Sequence, residues 1–77
     1  DILLTQKEFT VLLLLAQNAE YKVSQAELMR EVWGAESEME KRALWTLISR
    51  LRKKLHSEDP RLEISSLRGG GYLLELL

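Results

Sequence analysis

The sequence predicts a mainly α-helical domain with a small β part, in which three helices are followed by a C-terminal β-hairpin. Three hydroxyl residues, Thr5, Ser24 and Ser37, are each followed three positions later by a glutamate, which is the pattern of a helix-opening capping box. Apolar residues with helical spacing follow each box. Near the C-terminus, three consecutive glycines separate two short apolar runs, which is typical of a tight turn between strands.

The first two predicted helices are short. The Thr5 box predicts a helix over about Gln6–Asn18, and its apolar residues extend almost all round, which predicts a central position in the domain. The Ser24 box predicts a second helix to about Trp33, ended by Gly34 in the left-handed conformation that glycine favours. The main apolar face of the first helix is assigned to Phe9, Leu12, Leu13 and Ala16.

The third predicted helix opens with the Ser37 box and is built around Lys41–Leu55. Six of the chain's eleven Lys and Arg residues lie in this stretch, which contains no Asp or Glu. A helix attached to a core by one face, with uncompensated positive charge on the other, predicts a polyanionic partner. The apolar stripe is formed by Leu44, Ile48, Leu51 and Leu55. The opposite, polar face carries Arg42, Thr46, Ser49, Arg50 and Lys53.

The last third of the chain predicts a helix break and a hairpin. Pro60 cannot continue a helix, so we expect the third helix to end before His56–Arg61. Leu62–Leu67 and Tyr72–Leu77 are the candidate strands, and the glycine-rich turn Arg68–Gly71 joins them.

Composition excludes several classes of protein. Seventy-seven residues predict one small domain, and 45% apolar with 30% charged residues is a globular balance. There is no cysteine, so neither a disulfide framework nor a thiolate metal site is available, which fits a cytoplasmic, reducing setting. The longest apolar run, Val11–Ala16, has six residues, far fewer than the roughly twenty of a membrane span. Because the first residue is not Met, we expect a processed chain or an excised fragment of a longer protein.

The net charge of −1 conceals an uneven distribution. Residues 1–40 carry three basic and eight acidic side chains, a net charge of −5, whereas residues 41–77 carry eight basic and four acidic ones, a net charge of +4. Clustering of positive charge, rather than its total, makes an electrostatic footprint for a polyanion.

No residue pattern indicates catalysis. The only histidine, His56, is interpreted as a solvated residue just past a helix end. Glu38 and Glu40 are better explained by the positive end of the helix dipole than by acid–base chemistry. The triple glycine lacks the Gly-Lys-Ser/Thr ending of a phosphate loop. We therefore expect no enzyme activity, no metal and no cofactor.

A basic helix face is often only a solvated surface, but three features favour nucleic acid here. Within Lys41–Leu55 the basic residues have no acidic partner at i, i+4, so this stretch is not laced with surface salt bridges. A second helix precedes across a short connection, as in a helix-turn-helix. A glycine-tipped hairpin with Arg68 at its tip follows, and such a wing reaches the adjacent minor groove. Together they predict a winged helix-turn-helix.

The chain closely resembles the winged-helix effector domain of OmpR/PhoB-type response regulators, the output half of bacterial two-component systems. The matching segments are LTQKEFTVLLLLAQN, VSQAELMREVWG, ISRLRKKL and PRLEISSLRGGGYLLE. The resemblance implies a transcription regulator that binds double-stranded DNA, with the third helix in the major groove and the wing in the minor groove. It also implies that residues 1–77 form one domain of a longer phosphorelay protein, which binds DNA as a head-to-tail pair. The N-terminal sheet of the family is largely missing, since only Asp1–Leu4 could belong to it.

The resemblance and the basic helix face together predict the site residues. The expected DNA contacts are Arg42, Thr46, Ser49, Arg50, Arg52, Lys53, Ser66 and Arg68. The loop from Trp33 to Glu40 matches the segment that meets RNA polymerase in activators of this family. The candidate partner contacts are Trp33, Glu36, Glu38 and Trp45. For Trp33, packing at the end of the second helix is the preferred interpretation.

The chain departs from the family at the start of the recognition helix, where the usual R-T-V-D-V-H-I is replaced by RALWTLI. Leu47, in place of the His, lies at the edge of the apolar stripe and is expected to pack. Trp45 stands in place of the Asp, and three roles are open for it. Its side chain could contact a DNA sugar or a thymine methyl, cover the core from outside, or bind another protein. A rival hypothesis is therefore a winged helix for protein–protein contact through Trp45, Leu47 and the 34–40 loop, with little or no DNA binding.

Overall fold

The computed structural model describes residues 3–77, and it confirms the predicted fold class. Three helices, α1 (Gln6–Gln17), α2 (Gln25–Trp33) and α3 (Glu38–Glu58), are followed by a hairpin of β2 (Leu62–Leu67) and β3 (Gly71–Leu76). A two-residue strand, β1 (Val23–Ser24), pairs antiparallel with β3, so the sheet order is β1-β3-β2. Leu3 and Leu4 are not in a strand, and the rest of the predicted Asp1–Leu4 opening lies outside the described residues.

The capping residues begin the three helices as predicted, although the boxes differ in completeness. At Thr5 both reciprocal bonds form: the Glu8 amide donates to Thr5 Oγ1 at 3.1 Å, and the Thr5 amide donates to Glu8 Oε1 at 2.8 Å. At Ser24 the hydroxyl accepts from the Glu27 amide at 3.1 Å. At Ser37 the backbone N–H donates to Glu40 Oε1 at 3.0 Å. These bonds satisfy amides that a helix leaves free in its first turn.

Gly34 ends α2 in the left-handed conformation, with φ of 72°, as predicted. The predicted end of α3 is wrong, because the helix continues through His56 to Glu58. Asp59, the residue before Pro60, has φ −150° and ψ 105°, an extended conformation that the proline ring imposes on its predecessor. The helix therefore ends at Glu58, two residues before the proline and three residues later than predicted, and His56 lies in its last turn.

The assignment of the α1 core face is also wrong. Val11 and Leu15 are buried together with Glu8, whereas Phe9, Leu13 and Ala16 are exposed. Apolar residues surround α1 almost completely, so periodicity alone could not choose the face. Burial of the Glu8 carboxylate against α3 fixes the rotation of α1.

The core lies mainly between α3 and the elements around it. The buried stripe of α3 comprises the predicted positions and one more: Leu44, Leu47, Ile48, Leu51 and Leu55. Val11 and Leu15 of α1, Leu28 of α2 and Ile64 of β2 pack in the same cluster. Because residues of α1, α2 and β2 all pack against this stripe, the rotation of α3 about its axis is fixed. The face that α3 presents to solvent is fixed as well.

Candidate nucleic-acid interface

The outward face of α3 brings five of the predicted DNA-binding residues together. With the apolar stripe buried, Arg42, Thr46, Arg50 and Lys53 are exposed on the opposite side, and Ser49 is half-buried among them. The first and last of the cations, Arg42 and Lys53, are eleven residues apart, or about 16 Å along a helix. The surface is therefore long enough to span a major groove, which is about 12 Å wide.

The positive charge of this face is not neutralised within residues 3–77. Three ion pairs form in this part of the chain: Arg30–Glu36 at 2.9 Å, Lys54–Glu8 at 2.6 Å and Arg61–Asp59 at 3.0 Å. Lys54 is the only α3 residue among them, and it points toward α1 rather than along the outward face. The remaining cations of the face are available for an external anion.

Ser49 has a more restricted role than the sequence suggested. Its hydroxyl donates to the Trp45 carbonyl oxygen at 3.0 Å, the bond that serines in helices often make to the residue four positions earlier. The hydroxyl proton is therefore used inside the helix. What Ser49 offers to a ligand is the lone pairs of its oxygen.

Arg52 joins the recognition helix to the wing strand. Its Nε donates to the Ile64 carbonyl oxygen at 2.9 Å, and its Nη2 donates to Ser66 Oγ at 3.1 Å. The guanidinium is half-buried and orients α3 against β2. No local pattern indicated this link, since the partners lie 12 and 14 positions away in the sequence. Arg52 and Ser66, both predicted DNA contacts, thus use donor and acceptor capacity on each other.

Replacement of Arg52 by Lys should lower the free energy of unfolding by about 1 kcal/mol, because the ammonium keeps the charge but cannot make both hydrogen bonds at once. Arg50→Lys is the matched control, since the Arg50 side chain is exposed and a surface change of this kind stays within about 0.5 kcal/mol. Urea denaturation of the two variants measures the difference. Equal stabilities would show that the link does not hold the helix to the strand.

The wing tip lies beside the start of α2. Gly69 and Gly70 have φ values of 88° and 80°, the left-handed region that makes a tight turn with glycine. The Gln25 amide, at the first turn of α2, donates to the Gly70 carbonyl oxygen at 2.6 Å. Arg68 is exposed at the tip. The hairpin is therefore anchored at its turn, and its arginine projects from a defined position.

The four candidate partner residues differ in exposure and in the contacts they make. Trp33 is half-buried and packs against the core, which agrees with the interpretation preferred in the sequence analysis. Glu36 pairs with Arg30, and Glu38 is exposed in the first turn of α3. Trp45 is 70% exposed.

Leu47, which the rival hypothesis placed at a protein interface, is only 8% exposed. That assignment is wrong because the core stripe of α3 is one residue wider than its strict period and includes Leu47. The expectation that Leu47 packs is confirmed.

Within residues 3–77, no helix is both long and apolar enough to cross a membrane. The same part of the chain holds no group of three or more His, Cys, Asp or Glu side chains placed to bind a metal ion.

Comparison with known proteins identifies the family. Residues 1–74 match the family described as "Transcriptional regulatory protein, C terminal". The chain belongs to this family. Its members are regulatory domains, in agreement with the prediction of a non-enzymatic protein, and the resemblance to OmpR/PhoB-type effector domains is confirmed.

Individual relatives agree with the family match. The response regulator ArlR of Staphylococcus aureus is 35% identical over 74 residues, which cover 96% of this chain and 34% of that protein. The chain thus spans about a third of the length of the curated relatives it matches. The crystal structure of the DNA-binding domain of Bacillus subtilis CssR has a TM-score of 0.77 and 33% identity, covering 95% of this chain and 78% of that one. The response regulator DrrB, a Thermotoga maritima OmpR/PhoB homolog, has a TM-score of 0.79 and 34% identity, covering 96% and 34%.

Proposed function

We propose that this domain binds double-stranded DNA in a sequence-specific manner and regulates transcription as the output domain of a phosphorelay response regulator. The observation that carries the proposal is the outward face of α3, which is cationic and unpaired in the described residues and stands beside an anchored wing. Such a helix fits the major groove, and an arginine at a wing tip fits the minor groove. The family and its relatives support the same function.

The proposal assigns different roles along the helix. Arg42 and Lys53, at the two ends of the outward face, bind phosphates on opposite sides of the groove. Thr46 and Arg50 lie between them and face the base edges, and Ser49 accepts a hydrogen bond there. Phosphate contacts position the protein, whereas base-edge contacts select the sequence.

The wing and its link to the helix complete the proposed interface. Arg68 enters the minor groove. Arg52 and Ser66 hold the wing strand to α3. The remaining N–H groups of the Arg52 guanidinium face the phosphate backbone of the DNA. The angle between wing and helix is then set by the protein before DNA binds, which lowers the ordering cost of binding.

Further proposals concern the whole regulator, of which this chain spans a part. The protein acts in the cytoplasm, binds direct repeats as a head-to-tail pair, and receives its signal from a receiver domain. Glu36, Glu38 and the exposed edge of Trp33 meet RNA polymerase. The protein–protein alternative is not favoured, because burial of Leu47 removes one of its three components.

Selection from a pool of random 30-base-pair duplexes tests the proposed function. The domain should enrich a defined sequence over several rounds, and an Arg50→Ala variant should enrich a broader one, because it removes a base-edge contact while leaving the phosphate contacts. Recovery of an unselected pool by the wild-type domain would contradict sequence-specific binding.

A further inference from the structure

Trp45 is an apolar side chain on a polar helix face. It lies on α3 three residues after Arg42 and four before Ser49, in the half of the helix nearer its N-terminus, and it is 70% exposed. A recognition helix contacts base edges mainly through its N-terminal half. A single exposed apolar residue is common on protein surfaces and does not by itself indicate a function. The residues around Trp45 are therefore the relevant evidence.

The surroundings of Trp45 form a shallow recess of about 270 Å³. Its lining comprises Gln25, Lys41, Arg42, Trp45 and Tyr72. Long side chains of a helix point back toward its N-terminus, which explains why the indole lies over the turn that carries the two cations. The indole lies beside Tyr72, which is 8% exposed, and 70% of its own surface remains open to solvent. The structure thus holds an apolar wall beside two groups that attract phosphate.

A DNA duplex offers few apolar groups to such a wall. The faces of its bases are stacked on one another, so stacking on an aromatic side chain requires bases that have been displaced or a single strand. In the major groove, the apolar group at the base edges is the C5-methyl of thymine. An indole held in the groove by flanking phosphate contacts would therefore meet thymine methyls.

We propose that Trp45 is a specificity-determining residue that packs against thymine C5-methyl groups in the major groove. The proposal rests on the proposed function, since it presupposes that α3 enters that groove. It gives an apolar preference for thymine to a position where the family pattern has an Asp. Burial of one methyl group corresponds to about 0.8 kcal/mol, or about fourfold in affinity, for each thymine contacted.

The test compares two 24-base-pair duplexes of alternating sequence, one of dA and dT and the other of dA and dU, which differ by the thymine methyl groups. We expect the wild-type domain to bind the dA–dT duplex about three- to tenfold more tightly, measured by fluorescence anisotropy of labelled DNA at low salt. Trp45→Ala should bring the ratio of the two affinities close to one. Trp45→Phe should retain more than half of the wild-type preference, expressed as the logarithm of that ratio. The ratio for Trp45→Ala also measures any intrinsic difference between the duplexes.

A second measurement follows the indole directly. In a Trp33→Phe background Trp45 is the only tryptophan, and its fluorescence should be better protected from acrylamide by the dA–dT duplex than by the dA–dU duplex at saturation. Circular dichroism on every variant verifies that the fold is retained.

Several outcomes would overturn the proposal. If both duplexes bind equally and Trp45→Ala changes neither affinity, thymine reading fails while the proposed function stands. An equal loss for both duplexes in Trp45→Ala would mean packing on sugar instead. Tighter binding to single-stranded oligo-dT than to either duplex would mean stacking on unpaired bases. Absence of binding to any duplex would overturn the proposed function together with this inference.

Discussion

The double variant Arg42→Gln/Lys53→Gln should bind duplex DNA about a hundredfold more weakly than the wild-type domain, with an unchanged fold. Each cation is proposed to make one charge-assisted contact to phosphate, and a contact of this kind contributes roughly 1.5 kcal/mol, or about tenfold in affinity. Both side chains are exposed, so little of the folded structure depends on them. Anisotropy titrations at about 0.1 M salt measure the loss.

The control for this variant removes the same amount of charge from elsewhere. Arg30 and Arg61 are exposed and lie outside the proposed interface, in surface pairs with Glu36 and Asp59. Arg30→Gln/Arg61→Gln should weaken binding only a few-fold, through the long-range field. A loss in the control as large as in Arg42→Gln/Lys53→Gln would assign the effect to net charge and contradict a specific role for the α3 face.

The variant Glu8→Gln should lower the free energy of unfolding at neutral pH by about 2–3 kcal/mol. Glu8 is 3% exposed, and its carboxylate accepts from Lys54 Nζ at 2.6 Å and from the Thr5 amide at 2.8 Å. Removal of one member of a buried pair costs about 3–5 kcal/mol, and partial exposure of Lys54 reduces that figure here. The change also ends the ion pair that fixes which face of α1 is buried. Thermal or urea denaturation measures the effect.

The same carboxylate predicts how stability depends on pH. Burial by itself raises the pKa of Glu8, but hydrogen bonds from Lys54 and Thr5 and the Lys54 charge outweigh it, so the pKa lies below its ordinary value of 4.5. A carboxyl with a depressed pKa stabilises the folded state above its unfolded pKa, and this contribution is lost as pH falls through the folded pKa. The wild-type domain should therefore lose stability below about pH 4.5 more steeply than Glu8→Gln.

Glu63→Gln is the matched control for this prediction, because Glu63 is exposed on β2. It should change the free energy of unfolding by less than about 0.5 kcal/mol and leave the acid dependence as in the wild type. Equal acid profiles for wild type and Glu8→Gln would contradict the assignment.

The elements that could be predicted are those encoded by local chemistry. The hydroxyl residues Thr5, Ser24 and Ser37 begin the helices, Gly34 ends α2, and the glycine turn forms the hairpin, because each depends on residues at most four positions apart. The basic face of α3 could also be predicted, because the apolar stripe of a helix determines which residues lie on the opposite, solvent-facing side.

The features that could not be predicted depend on contacts between distant parts of the chain. The rotation of α1 is set by the pair of Glu8 with Lys54, 46 positions away. The structural role of Arg52 depends on β2, and β1 exists only because Val23 and Ser24 lie beside β3. In each case the local pattern was ambiguous or silent, and tertiary packing decided the outcome.

The salt dependence of duplex binding tests the central claim most directly. Arg42 and Lys53 are proposed to bind phosphates, and the exposed Arg50 and Arg68 bring further positive charge into the grooves. The logarithm of the association constant should therefore fall against the logarithm of salt concentration with a slope of about −2 to −4. In Arg42→Gln/Lys53→Gln the slope should be shallower by about two units. A slope near zero, or one that the double variant leaves unchanged, would contradict DNA binding through the outward face of α3.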